Sequence, residues 1–86
     1  MNKRWYDGAW ADYEWWQGQD RKMLRRINQL IRDIERNGYR GLGKPEPLRG
    51  DFAGWWSVRI DAANRLVFRI DGGEMSILTC RGHYGE

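Results

Sequence analysis

Glu46 lies between two prolines in KPEPL, Arg59, Arg65 and Arg69 recur in the alternating stretch that follows, and the single histidine, His83, sits in TCRGHYGE. One carboxylate, one imidazole and a cluster of guanidiniums are the parts needed to cleave RNA without a metal. In that reaction a base takes the proton of a ribose 2′-OH, the oxygen attacks the adjacent phosphate, and an acid protonates the departing 5′ oxygen. Guanidiniums stabilise the charge that builds on the phosphate and grip its oxygens bidentately, which lysine does not do. Histidine suits the acid, because an unperturbed imidazole with a pKa of ~6.5 keeps a protonated fraction near neutrality.

Each residue alone has a plainer reading. Glu46 is an exposed loop glutamate, held stiff because Pro47 and Pro45 push Glu46 and Lys44 out of helical conformations. Arg65 is a cross-strand partner for Asp61, a kind of surface pair worth ~0 to 1 kcal/mol. His83 is a surface histidine and Tyr84 the start of a frayed tail. The combination, not any member, points to chemistry.

The rest of the composition narrows the partners. Fifteen Lys and Arg against twelve Asp and Glu give a net charge of +3, compatible with a polyanion partner and equally with an ordinary basic protein. One cysteine, Cys80, makes no internal disulfide, and one His with one Cys does not supply the usual zinc ligands, so metal-dependent chemistry is not expected, although carboxylates could hold magnesium weakly; no cofactor is expected either. MNKRWYDG lacks the apolar run of a signal peptide and no window is long enough to span a membrane, so the cytoplasm is the expected compartment. Six tryptophans exceed what a small core needs, and some are expected to face a partner.

The elements that must position these groups read as one domain over residues 1–86, with no repeat or linker. A short strand at Lys3 to Tyr6 precedes a helix capped by Asp7, with Trp10, Tyr13 and Trp16 or Gln17 on one face and a stop at Gly18. Asp20 caps a second helix with Met23 or Leu24, Ile27, Leu30 or Ile31, and Ile34 inward, ending at Asn37 and Gly38. Its outer face carries Arg21, Lys22, Arg25, Arg26, Arg32 and Arg36, which a solvated surface also explains.

After the Gly- and Pro-rich middle, period 2 takes over. Pairing Ile60 with Leu66 and Val58 with Phe68 keeps both apolar sets on one face and leaves a three-residue loop, Ala62 to Asn64, with Asn64 in the left-handed position. Arg59, Arg65 and Arg69 then share the opposite face. A second hairpin turns at Asp71 to Glu74 into Met75 to Arg81 in one of two registers. A two-residue Gly-Gly turn packs Ile77 on Phe68, whereas a three-residue turn sends Thr79, Arg81 and His83 toward the arginines; Gly82 also offers a break that lets His83 swing across.

GKPEPL from Gly43 to Leu48, Gly54-Trp55-Trp56-Ser57, Arg59-Ile60, Arg65-Leu66-Val67 and Cys80-Arg81-Gly82-His83-Tyr84 together resemble the YoeB-type toxins of the RelE superfamily. The resemblance also takes in Trp5, the Trp10 to Trp16 helix and the Ile27-Asn28 helix, so it runs along nearly the whole chain. It implies an α+β, RelE-like fold, two N-terminal helices on a twisted, mainly antiparallel sheet. It implies a ribosome-dependent mRNA endonuclease that enters the vacant A site of the 70S ribosome, cuts the codon there and stalls translation. The implied partner is a YefM/Phd-like antitoxin, and a homodimer is left open.

Residue by residue, the resemblance makes Glu46 the general base, Arg65 the transition-state arginine and His83 the general acid. Tyr84 helps place the mRNA base, while Lys44, Arg49 and Arg59 contact phosphate or order the site. Gly85 and Glu86 follow Tyr84 where close relatives end at the tyrosine, which bears on any role of a terminal carboxylate there. Two other functions compete: a toxin of the same fold that blocks the ribosome without cutting, and a nucleic-acid binding domain that stacks bases on Trp55, Trp56 and Tyr84. The first is expected to have lost at least one of Glu46, Arg65 and His83, and the second leaves that set unexplained.

Overall fold

The computed structural model describes residues 1–83. In chain order it has β1 (Asn2–Trp5), α1 (Asp7–Gln19), α2 (Arg21–Asn37), a 3-10 turn (Gly38–Arg40), β2 (Glu46–Pro47), a second 3-10 turn (Gly50–Phe52), β3 (Trp56–Arg59), β4 (Arg65–Asp71) and β5 (Glu74–Thr79). The sheet runs β1-β5-β4-β3-β2. Only β1 against β5 is parallel; the other pairings are antiparallel. The fold is thus α+β with a mixed, mainly antiparallel sheet, and β1 precedes the helices.

Asp20 caps α2 as its sequence context suggests, accepting from the Lys22 and Met23 amides at 3.0 and 3.3 Å. The apolar stripe of α2 buries Ile27, Leu30, Ile31 and Ile34, and Gly38, at φ +58, ends the helix after Asn37. Helix α1 differs from expectation. Tyr6 precedes it without a side-chain cap, and Asp7 is instead its first helical residue, where a carboxylate favours the positive end of the helix dipole. The helix also passes through Gly18 to Gln19, because the chain turns out only at the extended Asp20. Its buried residues are Ala9 and Trp16, while Trp10 is 46% exposed.

Both helices cover one sheet face, where Val58, Ile60, Leu66, Phe68, Met75 and Ile77 meet the α2 stripe. Alternation along β4 turns Val67 to the other face, into a smaller cluster with Leu48 and Trp55. Trp55 is held there between the Tyr6 ring, edge-on at 5.5 Å, and the Arg69 guanidinium at 4.4 Å.

The register of β3 on β4 is two residues from the expected one: Val58 pairs with Leu66 and Trp56 with Phe68. A two-residue shift leaves every side chain on its face, so the apolar pattern alone does not detect it. The reason is Asp61, whose Oδ1 accepts from the Ala63 and Asn64 amides at 2.8 and 2.7 Å. This local turn lengthens the loop to Ile60–Asn64, closed by Ile60 N–H on the Asn64 carbonyl at 2.9 Å. Asn64 is not left-handed; among the described non-glycine residues only Lys44 has positive φ.

The second hairpin combines features of both readings. Gly72 and Gly73 make a two-residue turn that pairs Ile77 with Phe68, and then the register slips so that Val67 pairs with Thr79. Leu78 is the extra residue of this bulge and packs into the cluster with Trp55. The strand ends at Thr79 rather than Arg81.

Candidate functional site

Strand β2 is two residues long and its position is fixed by the chain on both sides. The Gly43 carbonyl accepts from Arg59 N–H at 2.7 Å, and Leu48 N–H donates to the Trp55 carbonyl at 2.9 Å. Between these bonds Glu46 pairs with Ser57 and Pro47 with Trp56. Gly43 lies so close to β3 that an added Cβ would meet the Val58 Cβ at 3.0 Å. Lys44 follows at φ +53, so the residue before Pro45 escapes the right-handed helix by the left-handed region rather than by the expected extended one.

Directly opposed residues share a face, so Glu46 and Ser57 project together, beside the opposed pair Arg59 and Arg65. Arg65 Nη1 lies 2.9 Å from Glu46 Oε1 and donates to Ser57 Oγ at 3.0 Å. The Arg65 side chain is 10% exposed and that of Glu46 55%, so the cation is recessed and the carboxylate faces outward. The Arg65 partner is therefore Glu46 and not Asp61, whose carboxylate is committed to its own loop.

The chain after β5 is tied down at each residue. Asp12 Oδ2 of α1 accepts from Thr79 Oγ1 at 2.7 Å and from Cys80 N–H at 3.1 Å, and Trp16 Nε1 donates to the Cys80 carbonyl at 2.8 Å. The Arg81 guanidinium lies 3.7 Å from the centre of the Trp15 ring, so it goes to α1 and not to the arginine face. Gly82, at φ +83, donates its N–H to Asn64 Oδ1 and accepts from Arg65 N–H, both at 2.8 Å. His83, exposed, is the next residue, so it follows directly on a bond to the Arg65 backbone.

The structure thus brings Glu46 and Arg65 into contact, sets Arg59 across from Arg65, and ties the residue before His83 to Arg65. Lys44 and Arg49 are exposed on the segment carrying Glu46. Tyr84 lies outside the described residues. Sequence reasoning missed Ser57, Asn64 and Asp12. A small buried Ser57 on the same strand face as Arg59 was a usable signal; nothing in the sequence connects Asp12 to a strand more than sixty residues later.

The family model described as YoeB-like toxin of bacterial type II toxin-antitoxin system matches residues 5–84. A protein named Toxin YoeB from Streptomyces coelicolor is 49% identical over 76 residues, 88% of this chain and 90% of its own. Among solved structures, a YoeB/ParE toxin from Agrobacterium tumefaciens superposes with a TM-score of 0.94 at 48% identity, covering 98% of this chain and 100% of its own. A YoeB dimer and a YoeB-YefM complex, both from Staphylococcus aureus, each give 0.91, at 39% and 38% identity, with 98% of both chains covered. The chain belongs to the YoeB-like toxins of bacterial type II toxin-antitoxin systems.

Proposed function

We propose that this toxin is a ribosome-dependent mRNA endonuclease that cleaves the codon in the A site without a metal. Glu46 takes the 2′-OH proton, and the new O2′–P bond forms as the P–O5′ bond breaks. Arg65 stabilises the charge gathering on the phosphate, and His83 donates a proton to the departing O5′. The products are a 2′,3′-cyclic phosphate and a 5′-hydroxyl. Tyr84 places the base, and Lys44, Arg49 and Arg59 hold or order the flanking phosphates.

The observation that supports this most is the recessed Arg65 guanidinium 2.9 Å from the outward Glu46 carboxylate, with His83 following the residue bound to Arg65 N–H. An entering phosphate meets a fixed cation and a base side by side. A site this shallow has few groups to orient a flexible strand, and the ribosome supplies that positioning. The partners are a YefM-like antitoxin and a second copy of the chain, as in the complexes of the Staphylococcus aureus relatives. The compartment is the cytoplasm, where translating ribosomes are.

Primer extension on one message with and without 70S ribosomes tests this reading, with cutting expected only on ribosomes. Equal cutting of free RNA would remove the ribosome requirement. A 2′-deoxy nucleotide at the cut position is expected to abolish cleavage, and its cleavage would show that ribose is not the nucleophile.

A further inference from the structure

We infer that Asn64 is a positioning residue for His83, acting through a bracket on Gly82. Both backbone polar groups of Gly82 are taken by two consecutive residues: its N–H by the Asn64 side chain and its C=O by the Arg65 amide, each at 2.8 Å. The Asn64 carboxamide has one possible orientation. The Gly82 N–H can only donate, so Oδ1 is turned to it, and this leaves Nδ2 to donate to Asp61 Oδ1 at 3.1 Å. Asp61 thus shapes the loop and also holds the amide.

The bracket matters because of what lies beyond it. Asp12 and Trp16 hold the chain as far as Cys80, but Gly82 has φ +83, a conformation that glycine enters and leaves freely. Without Asn64, Gly82 keeps its carbonyl bond to the Arg65 amide but loses the bond on its own N–H, which loosens the link that leads into His83. The bracket couples the two ends of the catalytic set through backbone, since the residue that holds the Gly82 carbonyl is Arg65 itself. A positioning role of this kind rests on the functional reading above, with His83 as acid.

The test compares Asn64→Ala, which removes the oxygen that receives the Gly82 N–H, with the unsubstituted toxin. Amide hydrogen exchange of Gly82, measured by NMR on the toxin alone, is expected to quicken by ~10-fold or more in Asn64→Ala. Single-turnover cleavage on programmed 70S ribosomes is expected to fall by ~10-fold while ribosome affinity is unchanged, because geometry and not binding is lost. If Asn64→Ala does not fold, Asn64→Asp alone, which sets its carboxylate against that of Asp61, serves as the disrupted member. Unchanged Gly82 exchange overturns the bracket, and quickened exchange with undiminished cleavage overturns the positioning role. Absence of cleavage by the unsubstituted toxin overturns the functional reading and the positioning role with it, while Gly82 exchange still decides the bracket.

Discussion

Arg65 and Glu46 meet at 2.9 Å, one recessed in the sheet surface and the other at its rim. The asymmetry separates what each contributes. Glu46 is more than half exposed, so its attraction to Arg65 is screened and contributes at most ~1 kcal/mol to stability. Glu46→Gln is therefore expected to fold and melt nearly as the parent. Its single-turnover cleavage is expected to fall by ~10² to 10⁴, the usual loss for a general base. A large drop in thermal midpoint, or cleavage within a fewfold of the parent, counts against Glu46 as base.

Arg65→Lys keeps the charge and discards the planar fork. One Nη1 now serves both Glu46 and Ser57, and an ammonium on a flexible stem does not reproduce that shared contact while also holding a phosphate. Cleavage is expected to fall by ~10² to 10³, as when a fixed transition-state donor is removed. Parallel binding measurements on programmed ribosomes separate this loss from weakened association.

Gly43→Ala is expected to destabilise the fold by ~1 to 3 kcal/mol, because a left-handed φ of +79 and a Cβ pressed on Val58 and the Arg59 backbone act together. The strain falls on the segment that carries Lys44 and Glu46. Chemical denaturation measures the first effect, and cleavage corrected for folded fraction measures the displacement of Glu46.

Burial, with the charge of Asp12 as a lesser cause, pushes the Cys80 thiol from its ordinary 9.0 up to about 12. The folded protein therefore holds this proton more tightly than the unfolded chain does. The contribution is complete below pH 9 and is lost as pH rises toward 12, by about 1.4 kcal/mol per pH unit within that window. Urea unfolding at neutral pH and at about pH 10.5 is expected to show a shallower alkaline decline for Cys80→Ala than for the parent. Iodoacetamide at mildly alkaline pH is expected to label Cys80 slowly until urea unfolds the protein.

What the sequence reveals and what it hides divide along physical lines. The helices and the two faces of the sheet are legible because burial imposes a period, and the α2 stripe with its Asp20 cap is read correctly almost residue by residue. The β3–β4 register is not, because a slip of two residues changes no face and a single Asp61 side chain decides the loop length. The bulge at Leu78 hides for a related reason: either turn length satisfies part of the pattern, and only the packing of Leu78 beside Trp55 selects the mixture. The Glu46–Arg65 contact follows from KPEPL lying beside β3, a placement set by backbone bonds to Gly43 and Leu48 that carry no composition signal.

The two-residue strand β2 closes one side of the sheet. A sheet margin ordinarily invites another extended chain to add itself, through its row of free amides. Here Pro45 and Pro47 carry no N–H, and they flank the one residue between them, Glu46. The margin presents a carboxylate to solvent and offers a visiting strand carbonyls but no amide donor at the two prolines. The same two prolines that stiffen the chain around Glu46 thus guard an open rim of the sheet against edge-to-edge association.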